Sequence, residues 1–218
     1  MDVVLFGPPG AGKGTQASHI CDLLGVTHIS TGDLFRNLDK ESDLGKRVKA
    51  IMDAGGLVPD DVTMEILAQR LSKGDVDSGV LLDGFPRTSN QADELVKWMT
   101  PRQRTVDLVL AINITDEEVH RRLVNRRMCK GCPASYHLIF VPPKEEGICD
   151  ACGGELYQRG SDTAEKVQPR IDGYHEWTLP MLSYLEEKGY TIVHIDGMAK
   201  PSDVSQSITD TLREKGFI

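Results

Sequence analysis

No apolar run in this chain approaches the roughly 18–20 residues that a membrane-spanning helix needs, so a bilayer span is excluded. A basic excess is missing as well. Twenty-five Lys and Arg stand against thirty-three Asp and Glu, a net charge of −8, which argues against a general nucleic-acid binder. Met1 to Phe6 runs straight into glycines with neither a basic n-region nor a long apolar h-region; no secretory signal is expected, and a cytoplasmic location is. There is no internal repeat and no low-complexity tract. Hydrophobic residues make up 39% and charged residues 27%, enough apolar surface for a packed core and too much for intrinsic disorder. At roughly 150 residues per domain, 218 residues correspond to one large domain or one domain carrying inserts.

Short apolar runs alternate with helical patterns along the chain. Val3–Phe6, Thr27–Ile29, Val80–Leu82, Leu108–Ile112 and Thr191–Ile195 read as strands, most of them continuously apolar, as in a parallel sheet buried on both faces. Between them, Ala17, Ile20, Cys21 and Leu24 fall on one helical face, with Cys21 as a small core residue. Thr115-Asp116-Glu117-Glu118 opens another helix as a capping box, and Ser202 is placed to cap the last one, just after Pro201. The alternation predicts a doubly wound α/β sheet with ligands at the carboxyl ends of its strands. Two stretches break the rhythm. Residues 30–58 hold two helical segments without a strand, and residues 125–162 hold Pro, Gly and four Cys with little helical periodicity. Both read as inserts on the ligand side.

Gly7-Pro8-Pro9-Gly10-Ala11-Gly12-Lys13-Gly14-Thr15 follows the first strand and opens the first helix with the spacing of a phosphate-binding P-loop. Small residues there let successive backbone N–H groups wrap a phosphate, while the helix N-terminus and Lys13 add positive charge. Gly14 stands where Ser or Thr usually follows the lysine, and the hydroxyl comes one residue later at Thr15. Leu81-Leu82-Asp83-Gly84-Phe85-Pro86-Arg87 ends the third strand; Asp83 is placed there to hold Mg²⁺ through its waters.

Cys129-x-x-Cys132 and Cys149-x-x-Cys152, separated by sixteen residues, form a four-thiolate metal signature. Four thiolates close a tetrahedral site, so the metal is expected to be structural, Zn²⁺ or a rubredoxin-like iron. Over residues 125–162 the basic and acidic residues balance, which leaves no phosphate-tracking surface for a nucleic-acid-binding ribbon. The better reading is a clip stiffening a small, core-poor insert.

Three motifs together, Gly7 to Ala17, Ser30-Thr31-Gly32-Asp33-Leu34-Phe35-Arg36, and Asp83-Gly84-Phe85-Pro86-Arg87-Thr88 with Gln91, resemble adenylate kinase of the long-lid bacterial type. The resemblance covers essentially the whole chain. It implies the P-loop nucleoside monophosphate kinase fold, with a five-stranded parallel sheet flanked by helices. The core would be residues 1–29, 59–124 and 163–218, with an AMP-binding insert over 30–58 and a zinc-binding lid over 125–162. It further implies transfer of a phosphoryl group from ATP to AMP, giving two ADP, with Mg²⁺ accompanying ATP and the monomer as the working unit; neither nucleic acid nor membrane is a partner.

By position, the resemblance assigns Gly10, Ala11, Gly12, Lys13, Gly14 and Thr15 to the ATP phosphates. Thr31, Arg36, Leu57, Val58, Gly84, Arg87 and Gln91 fall at the AMP site. Arg122 and Arg126 match lid-hinge arginines, one against the adenine of ATP and one on its phosphates. Arg159 and Arg170 match a later pair serving both nucleotides, while Tyr136, His137, Phe140 and Lys200 stand on the ATP side. Taken without the resemblance, Arg121, Arg122, Arg126 and Arg127 would be a solvated helix face. The family pattern Arg-x-Asp-Asp reads Arg159-Gly160-Ser161-Asp162 here, and Pro169 is placed to start a helix ahead of Arg170. A kinase of the same architecture with a uridylate, cytidylate or guanylate acceptor is the nearest rival; a nucleotide-gated switch without transfer is a more distant one.

Overall fold

Four of the apolar runs become β1 (Asp2–Phe6), β2 (Thr27–Ser30), β3 (Val80–Asp83) and β4 (Leu108–Asn113). Three short strands follow, β5 (Arg126–Cys129), β6 (Ser135–His137) and β7 (Leu156–Tyr157), before the fifth long run returns as β8 (Ile192–Asp196). The computed structural model describes residues 1–218. β2, β3, β1, β4 and β8 lie side by side in that order, all parallel, while β6, β5 and β7 form a separate antiparallel sheet.

Register decides where chemistry can occur. Leu5 and Ser30 both pair with Asp83, and Phe6 pairs with Ala111. The loop after Phe6, the helix after Ser30 and the turn after Asp83 therefore leave the sheet at one edge, the carboxyl edge where ligands bind in this class of fold.

Nine α-helices complete the chain: α1 (Lys13–Leu24), α2 (Thr31–Arg36), α3 (Asp43–Asp53), α4 (Asp60–Leu71), α5 (Ser89–Met99), α6 (Asp116–Val124), α7 (Ala164–Gly173), α8 (Pro180–Glu187) and α9 (Pro201–Glu214). Successive strand residues point to opposite faces. Val4, Phe6, Leu82 and Val109 pack with Leu67 of α4, Leu95 and Met99 of α5, and Leu182 and Leu185 of α8. Val3, Leu5, Leu110 and Ile112 pack on the other face with Ala17 and Ile20 of α1 and Ile208 and Leu212 of α9. Cys21 is half-buried at that second layer, and burial raises its thiol to about 11.

The caps follow the sequence in one helix and depart from it in another. Thr115 caps α6 by accepting from the Glu118 amide at 3.3 Å. Ser202, expected to cap the last helix, lies inside it instead. Lys200 is the cap residue, and its carbonyl accepts from the Asp203 and Val204 amides at 3.0 Å each. Pro201 takes the first helical position because its missing N–H would have no partner there anyway. Pro169 is a second correction. It does not start a helix but stands within α7, where it removes a donor from the helical ladder. The helix persists because Val167 and Ile171 are buried against Val119 and Leu123 of α6. The chain then passes through a π-turn at Tyr174–Thr178, with Leu179 N donating to Tyr174 O at 2.8 Å.

Gly7 couples this frame to the loop it carries. Its φ is +148°, and a Cβ there would stand 2.6 Å from the Ile112 carbonyl oxygen. Gly7→Ala is expected to cost about 1–3 kcal/mol, measured as a lowered urea midpoint at unchanged slope; an unmoved midpoint would mean that β4 yields freely.

Candidate active site

The phosphate loop is built from what its residues lack. Gly10 and Gly12 take φ of +82° and +93°, and α1 begins at Gly12 with no side chain capping its amides. Those first-turn N–H groups are left for an anion, where the helix dipole also favours one. Lys13 lies over the loop, its Nζ donating to the Gly7 and Pro8 carbonyls at 2.7 and 3.0 Å. Burial brings its pKa down to about 8; Asp83 opposes that shift, while Arg87, Arg170 and Arg126 add to it.

The arginines predicted from sequence gather around the same point. Arg87 feels Asp83 and Arg36, and burial is the main cause of its lowered pKa. Arg159, pushed down to about 10 by burial and by Arg126 and Arg36, also lies near Asp162 and Asp33. Its Nε is buried without a hydrogen-bond partner. Lys13, Arg36, Arg87, Arg126, Arg159 and Arg170 thus form one connected set, each within electrostatic reach of another.

Carboxylates and carbonyls hold these cations apart from one another. Asp162, fully buried at 0% exposure, receives Arg126 through two bonds of 2.8 Å and Arg170 Nη1 at 2.6 Å. Burial alone would raise its carboxyl, but the two guanidiniums outweigh that and hold it below the usual range. Asp33 does the same for Arg36 at 2.6 Å, and the Gly84 carbonyl accepts from Arg87 Nε at 2.9 Å. Thr31 Oγ1 donates to that carbonyl at 3.0 Å, and a Cβ on Gly84 would meet Thr31 Oγ1 at 3.0 Å and Arg87 Nη2 at 3.2 Å. Gln91 is buried with its amide engaged: Oε1 accepts from the Arg87 amide and Nε2 donates to Asp60. Leu57 and Val58 precede α4, and Val58 is buried in a small cluster with Val48 of α3.

Asp83 fits a hydrated cation. It is buried at the end of β3, its carboxylate makes no hydrogen bond within the protein, and His28 Nε2 lies 3.6 Å away. Oxygen donors of this kind suit Mg²⁺.

The arginines from 121 to 127 are not one solvated face. Arg122 is largely buried, donating to Glu118 and to the Gly197 carbonyl at 2.7 Å each. Arg126 has left the helix for β5. His137 and Phe140 stack on each other at 4.4 Å. Lys200 is exposed beside Pro201, whose carbonyl accepts from Gln16 of α1.

Cys129, Cys132, Cys149 and Cys152 come together with all four sulfurs within 4.8 Å of one another. A tetrahedron with Zn–S near 2.3 Å has edges of about 3.8 Å; the Cys129–Cys152 and Cys132–Cys149 pairs are 3.4 and 3.6 Å apart. A Cβ on Gly154 would lie 3.0 Å from Cys129 Sγ and 3.2 Å from Cys152 Sγ, so the backbone must close on the sulfurs there. The Gly131 amide donates to Cys129 Sγ at 3.2 Å. A thiol set so cradled suits a structural Zn²⁺. Tyr136, expected on the ATP side, turns toward this cluster: its hydroxyl lies 3.4 Å from Cys149 Sγ and accepts from the Asp150 amide at 2.8 Å.

Sequence reasoning passed over the carboxylates that hold the cations. Asp162 was legible only as a remnant of a longer motif; of its partners, Arg126 lies 36 residues from it and Arg170 8 residues from it. Glu118 carried a stronger signal, standing three and four residues before two arginines on a helix.

Residues 5–190 match the family model described as adenylate kinase. Curated adenylate kinases of similar sequence include that of Bacillus pumilus (strain SAFR-032), 48% identical over 213 residues, covering 97% of this chain and 98% of the relative. Those of Caldicellulosiruptor bescii and Staphylococcus aureus (strain Mu50) are each 46% identical, covering 97% of this chain and 99% of the relative.

The sulfur cluster carries a direct test. Its surroundings offer only Tyr136 and Leu156 as further buried residues, so stripping metal with a chelator is expected to lower the melting temperature and to raise amide exchange over residues 126–157. A melting curve and exchange pattern untouched by complete metal removal would rule out the structural role.

Proposed function

This chain belongs to the adenylate kinase family, and we propose how its own residues divide the reaction, the reversible transfer of a phosphoryl group from ATP to AMP to give two ADP. Lys13 and the amides of residues 10–15 take the ATP phosphates, with Arg126 beside them and Arg122, His137, Phe140 and Lys200 toward the base and ribose. Thr31, Arg36, Leu57, Val58, Gly84 and Arg87 form the AMP side. Gln91 acts there by holding the Arg87 backbone against Asp60, and Tyr136 acts on the lid rather than on nucleotide. Arg159 and Arg170 face both substrates. The core is residues 1–29, 59–124 and 163–218, with inserts at 30–58 and 125–162. The cations come from a single chain, which supports a monomer, and reduced cysteines suited to metal support a cytoplasmic setting.

One observation supports this reading: Lys13 and Arg87 stand near Asp83 at the end of β3, with Arg126 and Arg170 close to Lys13, and Arg36 close to both Arg87 and Arg159. The acceptor is already an anionic phosphate oxygen, so no general base is needed. What is needed is cancellation of repulsion between two polyanions. At 4 Å two unit charges repel by about 4 kcal/mol at an effective dielectric of 20, and each substrate carries several. Guanidinium forks bind phosphate oxygens bidentately and stay charged. Phosphoryl transfer runs through a loose transition state, so positioning and electrostatics supply most of the catalysis. Asp83 would hold the Mg²⁺ that arrives with ATP, and that ion would supply positive charge against the charge developing on the β- and γ-phosphates.

Offering MgATP with AMP, UMP, CMP, GMP or no acceptor is expected to give ADP efficiently with AMP alone. Arg36→Ala should chiefly raise the KM for AMP, by about tenfold or more, and Lys13→Met should abolish transfer; transfer indifferent to both would remove these assignments. The Lys13 pKa gives a pH test. Its ammonium binds phosphate, and it loses its proton as pH rises through about 8, so kcat/KM for ATP should fall above that pH. Lys13→Arg should move the fall upward, whereas a fall at the same pH in that variant would assign it to another group.

A further inference from the structure

Glu118 is a carboxylate in the first turn of a helix, yet it is only 5% exposed. Its two oxygens are divided between neighbours: Oε1 accepts from Arg122 Nε and Oε2 from Arg121 Nε, each at 2.7 Å. Each arginine then reaches beyond the helix. Arg122 Nη2 donates to the Gly197 carbonyl at 2.7 Å, in the turn that follows β8. The Arg121 guanidinium lies 4.5 Å from the centre of the Phe140 ring, and Phe140 stacks on His137. His137 Nδ1 accepts from the Ile139 and Phe140 amides at 3.2 and 3.1 Å, which fixes the tip of the lid loop against its own ring.

One carboxylate is therefore the joint between α6, the turn at Gly197 and the lid loop at residues 137–140. Without it, Arg121 and Arg122 would repel each other as adjacent like charges, and both long side chains would regain their rotamers. The ordering of Arg122 and of the Phe140 loop would then fall on the step that binds nucleotide.

We propose that Glu118 is a positioning residue for ATP, presetting Arg122 against Gly197 and, through Arg121 and Phe140, seating the lid loop beside it. This rests on the reading of Arg122 and Phe140 as ATP-side residues. Since the AMP side is built from α2, the residues before α4 and the turn after β3, Glu118 should leave it untouched.

Steady-state kinetics with each substrate varied in turn tests this. Glu118→Gln, which keeps shape and removes charge, should raise the KM for ATP about tenfold, the scale of a charge-assisted hydrogen bond, with the KM for AMP unchanged. A purely structural role would move both KM values together or neither, and either result overturns the proposal. Should Glu118→Gln fail to fold, Arg121→Gln decides: Arg121 is half-exposed, and its loss should raise the KM for ATP about threefold while leaving that for AMP alone. An unchanged KM for ATP in Arg121→Gln would then overturn the proposal. Arg122→Ala separates this inference from the reading beneath it. If Arg122→Ala raises the KM for ATP and Glu118→Gln does not, the positioning role falls alone; if Arg122→Ala leaves that KM unchanged, the assignment of Arg122 falls and the positioning role with it.

Discussion

Six like charges held around one cleft are the constraint that the rest of this structure serves. Burial and mutual repulsion push Lys13, Arg87, Arg159 and Arg170 below their ordinary pKa values, so the cleft without phosphate stores unfavourable electrostatic energy. The protein limits that cost with few anions, chiefly Asp83, Asp33 and the fully buried Asp162. Removing one partner from such a buried network strands the others, which costs far more than the network contributes over an apolar core. Arg159, whose Nε has no partner in the protein, is the cation of this set left with an unused donor.

The cations also come from separate elements of the fold. Arg36 comes with α2, Arg126 with β5, Arg159 with the segment returning from β7, and Arg170 with α7. Two of these segments approach closely at glycines: a Cβ on Gly55 would touch the Arg170 stem at 3.0 Å, and one on Gly160 would meet Asp53 at 3.6 Å.

How much of this was legible beforehand follows from the range of each signal. The strands were readable because Val3–Phe6 and Leu108–Ile112 are apolar at every position, and only a sheet covered on both faces tolerates that. The phosphate loop was readable because its glycines, lysine and flanking elements are contiguous. Local rules misplaced Ser202 and Pro169, since a proline's freedom from a donor suited the start of α9 and the packing of Val167 and Ile171 overrode it within α7. Tyr136 was open to two roles in the sequence, contact with ATP or packing of the cysteine-bearing insert, and only its fold neighbours place its hydroxyl at the sulfur cluster. The pairing of Asp162 with Arg126 was not readable, because the two lie 36 residues apart and nothing in a linear pattern announces such a pairing.

The hinge shows why affinity and motion are a single property here. α6 and α7 pack through Val119, Leu123, Val167 and Ile171, all nearly inaccessible. α6 bears Arg122 and leads directly into Arg126, and α7 bears Arg170, so this four-residue contact sets the spacing between those charges. Beyond it, the lid's own buried cluster consists of two cysteines, Tyr136 and Leu156, too little apolar surface to hold a shape unaided. A metal bound by the four thiols would give that segment stiffness without bulk. The packing of α6 against α7 thus fixes the guanidiniums relative to one another, and a change that loosened it would disperse those charges.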